Sequence, residues 1–225
     1  MDFYSLLDMK YTITNLVRTY AVRYYERKQS VMGKIFCIMG KSATGKDTIY
    51  KRLLEKTNLN LKRIIPYTTR PIRDGEVHGR EYYFCKEDDV KRLKEEHRIV
   101  ELRTYDTIYG VWKYFTVNDE NIDLEHNNYL LIGTLESYVK IRDYFGEEKT
   151  IPIYIEVEDG DRLLRAIARE KKQAIPKYEE MCRRFLADAK DFSEEQLQQA
   201  GIVKRFVNVI LETTLKEIEG YMREF

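Results

Sequence analysis

The chain has 225 residues, 43% hydrophobic and 34% charged, which suits one compact domain or one domain with an appendage. Its 39 basic and 38 acidic side chains leave a formal net charge of +1, so overall charge gives no argument for a nucleic-acid or membrane partner. Three scattered cysteines and three scattered histidines show no metal-ligand spacing, and there is neither a signal peptide nor an apolar run near the ~20 residues of a membrane span; the expectation is a reduced, soluble, cytoplasmic protein.

Residues 3–28 carry apolar groups at Leu6, Leu7, Ile13, Leu16, Val17, Tyr20 and Tyr24 with basic residues between them, a spacing that predicts an amphipathic helix. Such a helix lies on a membrane surface, binds a partner, or packs on its own domain or a second subunit. Met32 follows, and the expected division is an N-terminal helical extension over 1–31 and one domain over 32–225. From Lys34 the pattern alternates. The apolar run 34–39 predicts a buried strand, and 46–56, with Ile49, Leu53 and Leu54 at helical spacing, predicts a helix. Strands are expected at 62–67, 81–85, 98–102, 128–133 and 152–158, and helices at 87–97, 134–145, 160–172, 177–191 and 210–223. Ser193 and Gln196 fit a capping box opening one more short helix. With 4 prolines and no repeat or linker, the pattern predicts a single α/β domain built on βαβ units.

Between the first strand and the first helix lies Gly40-Lys41-Ser42-Ala43-Thr44-Gly45-Lys46-Asp47-Thr48. Gly, four residues, Gly and Lys is the phosphate-loop pattern up to its last position, where a serine or threonine hydroxyl is expected and Asp47 stands instead. Glycines let backbone N–H groups converge on an anion, the helix N-terminus adds roughly half a positive charge, and Lys46 adds a full one. The strand–loop–helix setting raises this bare pattern above an ordinary glycine turn. Residues 40–48 are therefore the expected ATP-binding stretch. The Asp47 carboxylate is a hard oxygen ligand for Mg²⁺, and Thr48 keeps a hydroxyl near the phosphates.

Residues 66–84, PYTTRPIRDGEVHGREYYF, are punctuated by Pro66, Pro71, Gly75 and Gly79 and hold Arg70, Arg73, Glu76, Arg80, Tyr82 and Tyr83. Planar guanidinium groups match phosphate bidentately, and a tyrosine hydroxyl adds a donor, so this loop is either a second phosphate site or a charged surface loop. The stretch resembles the signature of guanylate kinases, T-T-R-x-x-R-x-G-E-x-x-G-x-x-Y-x-F, with Thr68, Thr69, Arg70, Arg73, Gly75, Glu76, Gly79, Tyr82 and Phe84 all in place.

The resemblance runs from about Lys34 to the C-terminus. It implies a P-loop NTPase core with a parallel sheet flanked by helices, a small β-rich segment for the monophosphate and a helical lid. It implies ATP as co-substrate, Mg²⁺ as cofactor and small-molecule nucleotides as partners. Arg70, Arg73, Glu76 and Tyr82 would then bind the acceptor, with Glu101 on the guanine N1 and N2 side and Tyr109 as a further phosphate donor. Arg165, Arg169 and Arg184 would be the lid arginines that act with Lys46 on the moving phosphoryl group, and Asn208 would touch adenine.

Three departures bear on the implied activity. Family serines near the guanine ring are replaced here by Pro66 or Tyr67 and by Val111. The strand that ends in aspartates in the family offers Ile132 and Thr134. Asp47 is the third, and one reading joins the last two: the carboxylate lost at the strand end is supplied from the loop. The implied activity is transfer of the ATP γ-phosphoryl group to GMP. The alternatives are a kinase of the same fold for another phosphorylated acceptor and an inactive binding module.

Overall fold

The structure is a computed structural model that describes residues 32–73, 75–107 and 110–225; the N-terminal extension over 1–31, with its expected helix, and Tyr109 lie outside the described residues. The apolar run after Lys34 forms β1 (Ile35–Met39), buried along its whole length. Its alternate side chains feed two different layers. Phe36 and Ile38 pack with Ile49 and Leu53 of α1 (Lys46–Leu54), while Ile35, Cys37 and Met39 face the opposite layer with Leu135, Tyr138 and Ile141. A strand covered on both faces reads as an unbroken apolar run, because neither face meets water.

The remaining elements, in chain order, are β2 (Leu61–Arg63), β3 (Tyr67–Thr68), β4 (Tyr83–Phe84), α2 (Glu87–Glu95), β5 (Ile99–Thr107), β6 (Gly110–Val117), β7 (Asn128–Ile132), α3 (Leu135–Phe145), β8 (Thr150–Glu156), α4 (Asp159–Glu170), α5 (Tyr178–Asp191), α6 (Glu194–Gln199), β9 (Arg205–Val207) and α7 (Leu211–Met222). One sheet has the order β2-β7-β1-β8-β9 with every pairing parallel. A smaller sheet has the order β4-β3-β6-β5 and packs Phe115 and Val117 against Val90 and Leu93 of α2. This is the expected α/β architecture of parallel core, small β-rich segment and helical lid, the lid being α4 and α5. Among the described residues no helix is long and apolar enough to cross a membrane.

Sequence and structure part at three places. The expected strand over 62–67 divides, because Pro66 lacks an N–H and offers only its carbonyl, which accepts from the Tyr83 N–H at 2.9 Å. Its first piece joins the large sheet as β2, and the second begins β3 of the small one. β5 runs on past residue 102 because β6, which the sequence reading lacked, pairs with it antiparallel to the hairpin tip. β9 was also absent from that reading; three residues paired only to β8 leave little periodicity to read. Ser193 does cap α6, its hydroxyl accepting from the Gln196 N–H at 3.4 Å.

Ile38 and Val203 give opposite tests of this packing. Ile38→Ala, at a fully buried position under α1, should cost about 2–5 kcal/mol in urea unfolding. Val203→Ala, at a side chain 91% exposed, should stay within about 0.5 kcal/mol. Equal effects would contradict the assigned layers.

Candidate functional site

The phosphate loop leaves the C-terminal end of β1, the edge of an open parallel sheet where ligands gather. Its backbone changes hand repeatedly, with φ of 153° at Gly40, 64° at Ala43 and 85° at Gly45. A Cβ on Gly40 would come 2.4 Å from the Ile155 carbonyl oxygen, and one on Gly45 would come 2.6 Å from Asn208 Nδ2. Both positions therefore need glycine for space as well as for conformation. Gly45 is the N-cap of α1 and provides no side-chain cap, so the helix start turns its N–H groups and positive dipole end toward the loop hollow. Lys46 Nζ lies 3.5 Å from the Lys41 carbonyl oxygen and 3.9 Å from Asp47.

Asp47 is 79% exposed at this helix start, and Thr48 is exposed beside it. Among the described residues no group of three His, Cys, Asp or Glu side chains is placed to hold a metal. A single hard carboxylate beside an anion-binding loop suits Mg²⁺, which keeps waters and takes its other ligands from phosphates.

The loop is braced from the C-terminal half of the chain. Asn208, 5% exposed, donates from Nδ2 to the Thr44 carbonyl at 2.8 Å. Arg162 is fully buried at the start of the lid; its Nη1 donates to the Ser42 carbonyl at 3.0 Å, and its Nε donates to Asp159 at 3.0 Å. Asp188 of α5 accepts from the Ser42 N–H at 2.6 Å and lies 3.5 Å from Arg162 Nη1. Phe185 stacks 4.4 Å from the guanidinium carbon. Of the carried-over lid arginines, Arg165 donates to the Asn208 carbonyl at 3.1 Å, Arg169 sits 3.9 Å from Glu170, and Arg184 donates to Glu180 at 2.8 Å. The lid residues hydrogen-bonded to the loop are thus Asp159, which accepts from Lys41 Nζ at 3.4 Å, Arg162 and Asp188, none of which the sequence singled out for the site.

A second site is built on the β5–β6 hairpin. Glu101 lies opposite Thr116, Arg103 opposite Tyr114 and Tyr105 opposite Trp112. These six share one face by the period of two, while Leu102 and Phe115 turn to the apolar cluster on the other. A bulge between Ile99 and Glu101 makes this division possible. In a regular strand those two residues would share a face; the extra residue lets Ile99 join the apolar cluster and aims Glu101 outward.

The six line a cavity of about 760 Å³, completed by Tyr82, Arg80, Pro66 and Ile132. Glu101 is 3% exposed; its Oε1 accepts from the Thr116 hydroxyl at 3.0 Å, and its Oε2 accepts from Arg103 Nε at 3.1 Å. Of the expected acceptor residues, Glu101 and Tyr82 reach the cavity wall. Arg70 is 4% exposed, with Nη1 and Nη2 on the two oxygens of Glu76 at 3.0 and 2.8 Å. Glu76 also accepts from the Arg73 N–H at 2.8 Å. The Arg70 guanidinium, then this N–H, holds the Glu76 carboxyl below the usual carboxylate range. Arg70 and Glu76 thus form the clamp that shapes the signature loop, and Arg73 stands exposed, 6.0 Å from the ring centre of Trp112. Val111 is 52% exposed at the hairpin tip, and the Thr134 hydroxyl caps α3 by accepting from the Ser137 N–H at 3.2 Å.

A family model described as guanylate kinase matches residues 32–223. A guanylate kinase of Caldanaerobacter subterraneus subsp. tengcongensis is 35% identical over 154 residues, 68% of this chain and 70% of that one. Another, of Porphyromonas gingivalis, is 29% identical over 197 residues, 86% of this chain and 98% of that one. The crystal structure of guanylate kinase from Anaplasma phagocytophilum matches with a TM-score of 0.56 at 20% identity, covering 86% of each chain, a likeness of fold.

Asn208→Ala tests the brace on the loop. It leaves the Thr44 carbonyl buried without its donor, a loss of about 1–3 kcal/mol in urea unfolding. It should also weaken nucleotide binding in calorimetry, since the loop loses its preset shape. Unchanged stability together with unchanged binding would remove Asn208 from that role.

Proposed function

The chain belongs to the guanylate kinase family, and from that premise we propose that it transfers the γ-phosphoryl group of ATP to GMP, giving ADP and GDP. The observation that carries this reading is the placement of two sites at one sheet edge. The phosphate loop follows the last residue of β1, and the Glu101 cavity includes Ile132, the last residue of the neighbouring β7.

In this reading residues 40–48 hold the ATP phosphates and Asn208 keeps their cradle in shape while lying next to the adenine. Glu101 accepts from the guanine N1–H and N2 amino group. Tyr82, with Arg70 and Arg73 presented by the Glu76 clamp, binds the acceptor phosphate, and Tyr109 adds a donor there. Phosphoryl transfer asks little covalent chemistry of the protein, because the attacking phosphate oxygen is already anionic at neutral pH. No general base is needed. What the chain supplies is alignment, exclusion of water and positive charge: Lys46 at the loop, and Arg165, Arg169 and Arg184 as the lid closes. Mg²⁺ supplies further charge neutralisation at the phosphates, with Asp47 as the residue that would hold it.

A coupled ADP-release assay with MgATP against a panel of monophosphates tests the activity. Turnover is expected with GMP; release only with another acceptor, or with none, overturns the proposal. Lys46→Met should lower kcat by about 10²–10³-fold, the scale of losing one preorganised positive donor.

Asp47→Ala should move the Mg²⁺ titration of activity to higher concentration, and should weaken Mg²⁺-dependent ATP binding in calorimetry without changing binding in EDTA. Superimposable titrations would remove Asp47 from the metal.

A further inference from the structure

Arg103 has no place in the mechanism above, yet it stands in the acceptor cavity beside the one buried carboxylate of its floor. Its side chain is 25% exposed and that of Glu101 only 2%. The geometry is lateral: Nε donates to Oε2 at 3.1 Å, and Nη2 reaches Oε1 at the longer distance of 3.4 Å. Tyr105 lies two residues on, on the same face. A guanidinium has five N–H donors, so this pairing leaves donors for a ligand. Glu101 in turn has about four lone-pair sites. The Thr116 hydroxyl takes one on Oε1 and Arg103 Nε takes one on Oε2; the long Nη2 contact takes the second on Oε1 and is the one a ligand would displace.

With Nη2 turned from Oε1 to a ligand, the floor presents donor, acceptor, acceptor in sequence. The pattern that fits it is acceptor, donor, donor, which is the edge of guanine: the C6 oxygen, the N1–H and the N2 amino group. We propose that Arg103 is a specificity-determining residue that donates to the C6 oxygen of the acceptor base, next to Glu101. The proposal rests on the reading of this cavity as the acceptor's base site. It accounts for base selection without the serines whose places are held by Pro66 or Tyr67 and by Val111, the last of which is exposed at the hairpin tip.

The same pattern ranks other bases. Hypoxanthine keeps the oxygen and N1–H and loses the N2 amino group, so it fits less well. Adenine sets an amino group against Arg103 and an unprotonated N1 against Glu101, two mismatches in a site where unpaired polar groups are costly. Because Glu101, itself fixed by the Thr116 hydroxyl, holds the guanidinium before the base arrives, little side-chain freedom is lost on binding.

The test compares ratios of kcat/KM, since Arg103→Met also leaves Glu101 without its charge partner and weakens every acceptor. Wild-type protein should prefer GMP over 6-thio-GMP, whose sulfur is a poor acceptor. Arg103→Met should shrink that ratio by about tenfold, the scale of one lost base-edge contact. Arg103→Lys, which keeps a charge beside Glu101, should fall between the two and carries the same ratio test if the Met variant does not fold. A ratio unchanged from wild type in the folding variant overturns the role of Arg103, as does a wild type indifferent to the sulfur. The GMP to IMP ratio in Glu101→Gln probes the underlying reading separately. If that ratio does not move, the cavity is not the base site, whatever Arg103 does.

Discussion

A phosphate loop must hold a backbone shape that an unconstrained chain avoids, and this one holds it by being tied to distant parts of the fold. Ala43 carries a side chain in the left-handed region, and the glycines on either side have no Cβ with which to resist movement. Local propensity does not keep such a turn in one state. The ties come from 120, 146 and 164 residues away, through Arg162 and Asp188 at Ser42 and Asn208 at Thr44. The Arg162 tie is a poor source of stability. A fully buried guanidinium loses its hydration, and here Nη2 finds no hydrogen-bond partner among the described residues even with two carboxylates nearby. What the buried charge contributes is position: two lid helices and the loop meet in one arrangement, with Phe185 over the guanidinium.

The Glu101 cavity depends on a constraint of the same kind at lower cost. One extra residue between Ile99 and Glu101 divides a strand into an apolar face and a polar one, and the order of the cavity floor follows from it. Register then does the rest. Glu101 falls opposite Thr116, whose hydroxyl is a donor of the right length, and Arg103 falls two residues on, where the alternation returns it to the same face.

This explains which parts were legible in the sequence. Gly40, Gly45 and Lys46 between an apolar run and an amphipathic helix could be read directly, because that chemistry is local and its spacing is fixed by backbone geometry. The signature from Thr68 to Phe84 was legible too, though its charges do different work: Arg70 and Glu76 face each other, while Tyr82 faces the cavity. Arg103 carried a usable signal, two residues after Glu101 on an expected strand. The expected strand stopped at 102, and with β6 unrecognised nothing showed that the face continued. GVWKYFTV has bulky side chains on both faces of the hairpin, one set in the cavity and one in the small core, and this blurs the alternation a strand shows when one face meets water. Arg162 was not legible at all. Residues 162, 165 and 169 follow one helical spacing, yet only the first is buried, and what buries it is Ser42 and Asp188. Spacing along one helix cannot reveal a partner on another element.

The two kinds of lid residue therefore differ in what holds them. Arg162 and Asp188 are locked to the loop, while Arg183 and Arg184 both hydrogen-bond Glu180 on the solvent side, at 2.7 and 2.8 Å, and hold its carboxyl down to about 2. Exposed ion pairs of this kind contribute only about 0.2–1 kcal/mol each. A phosphate dianion in a water-poor cleft is a stronger partner for a guanidinium than a solvated carboxylate. On the proposed reading, exchanging Glu180 for a phosphate would cost Arg184 little, and would leave the Arg162 tie in place. The lid is thus tied to the loop at its buried charge and carries solvated ion pairs at its exposed ones, an arrangement that, on the proposed reading, would let it close on a ligand while the cradle beneath keeps its shape.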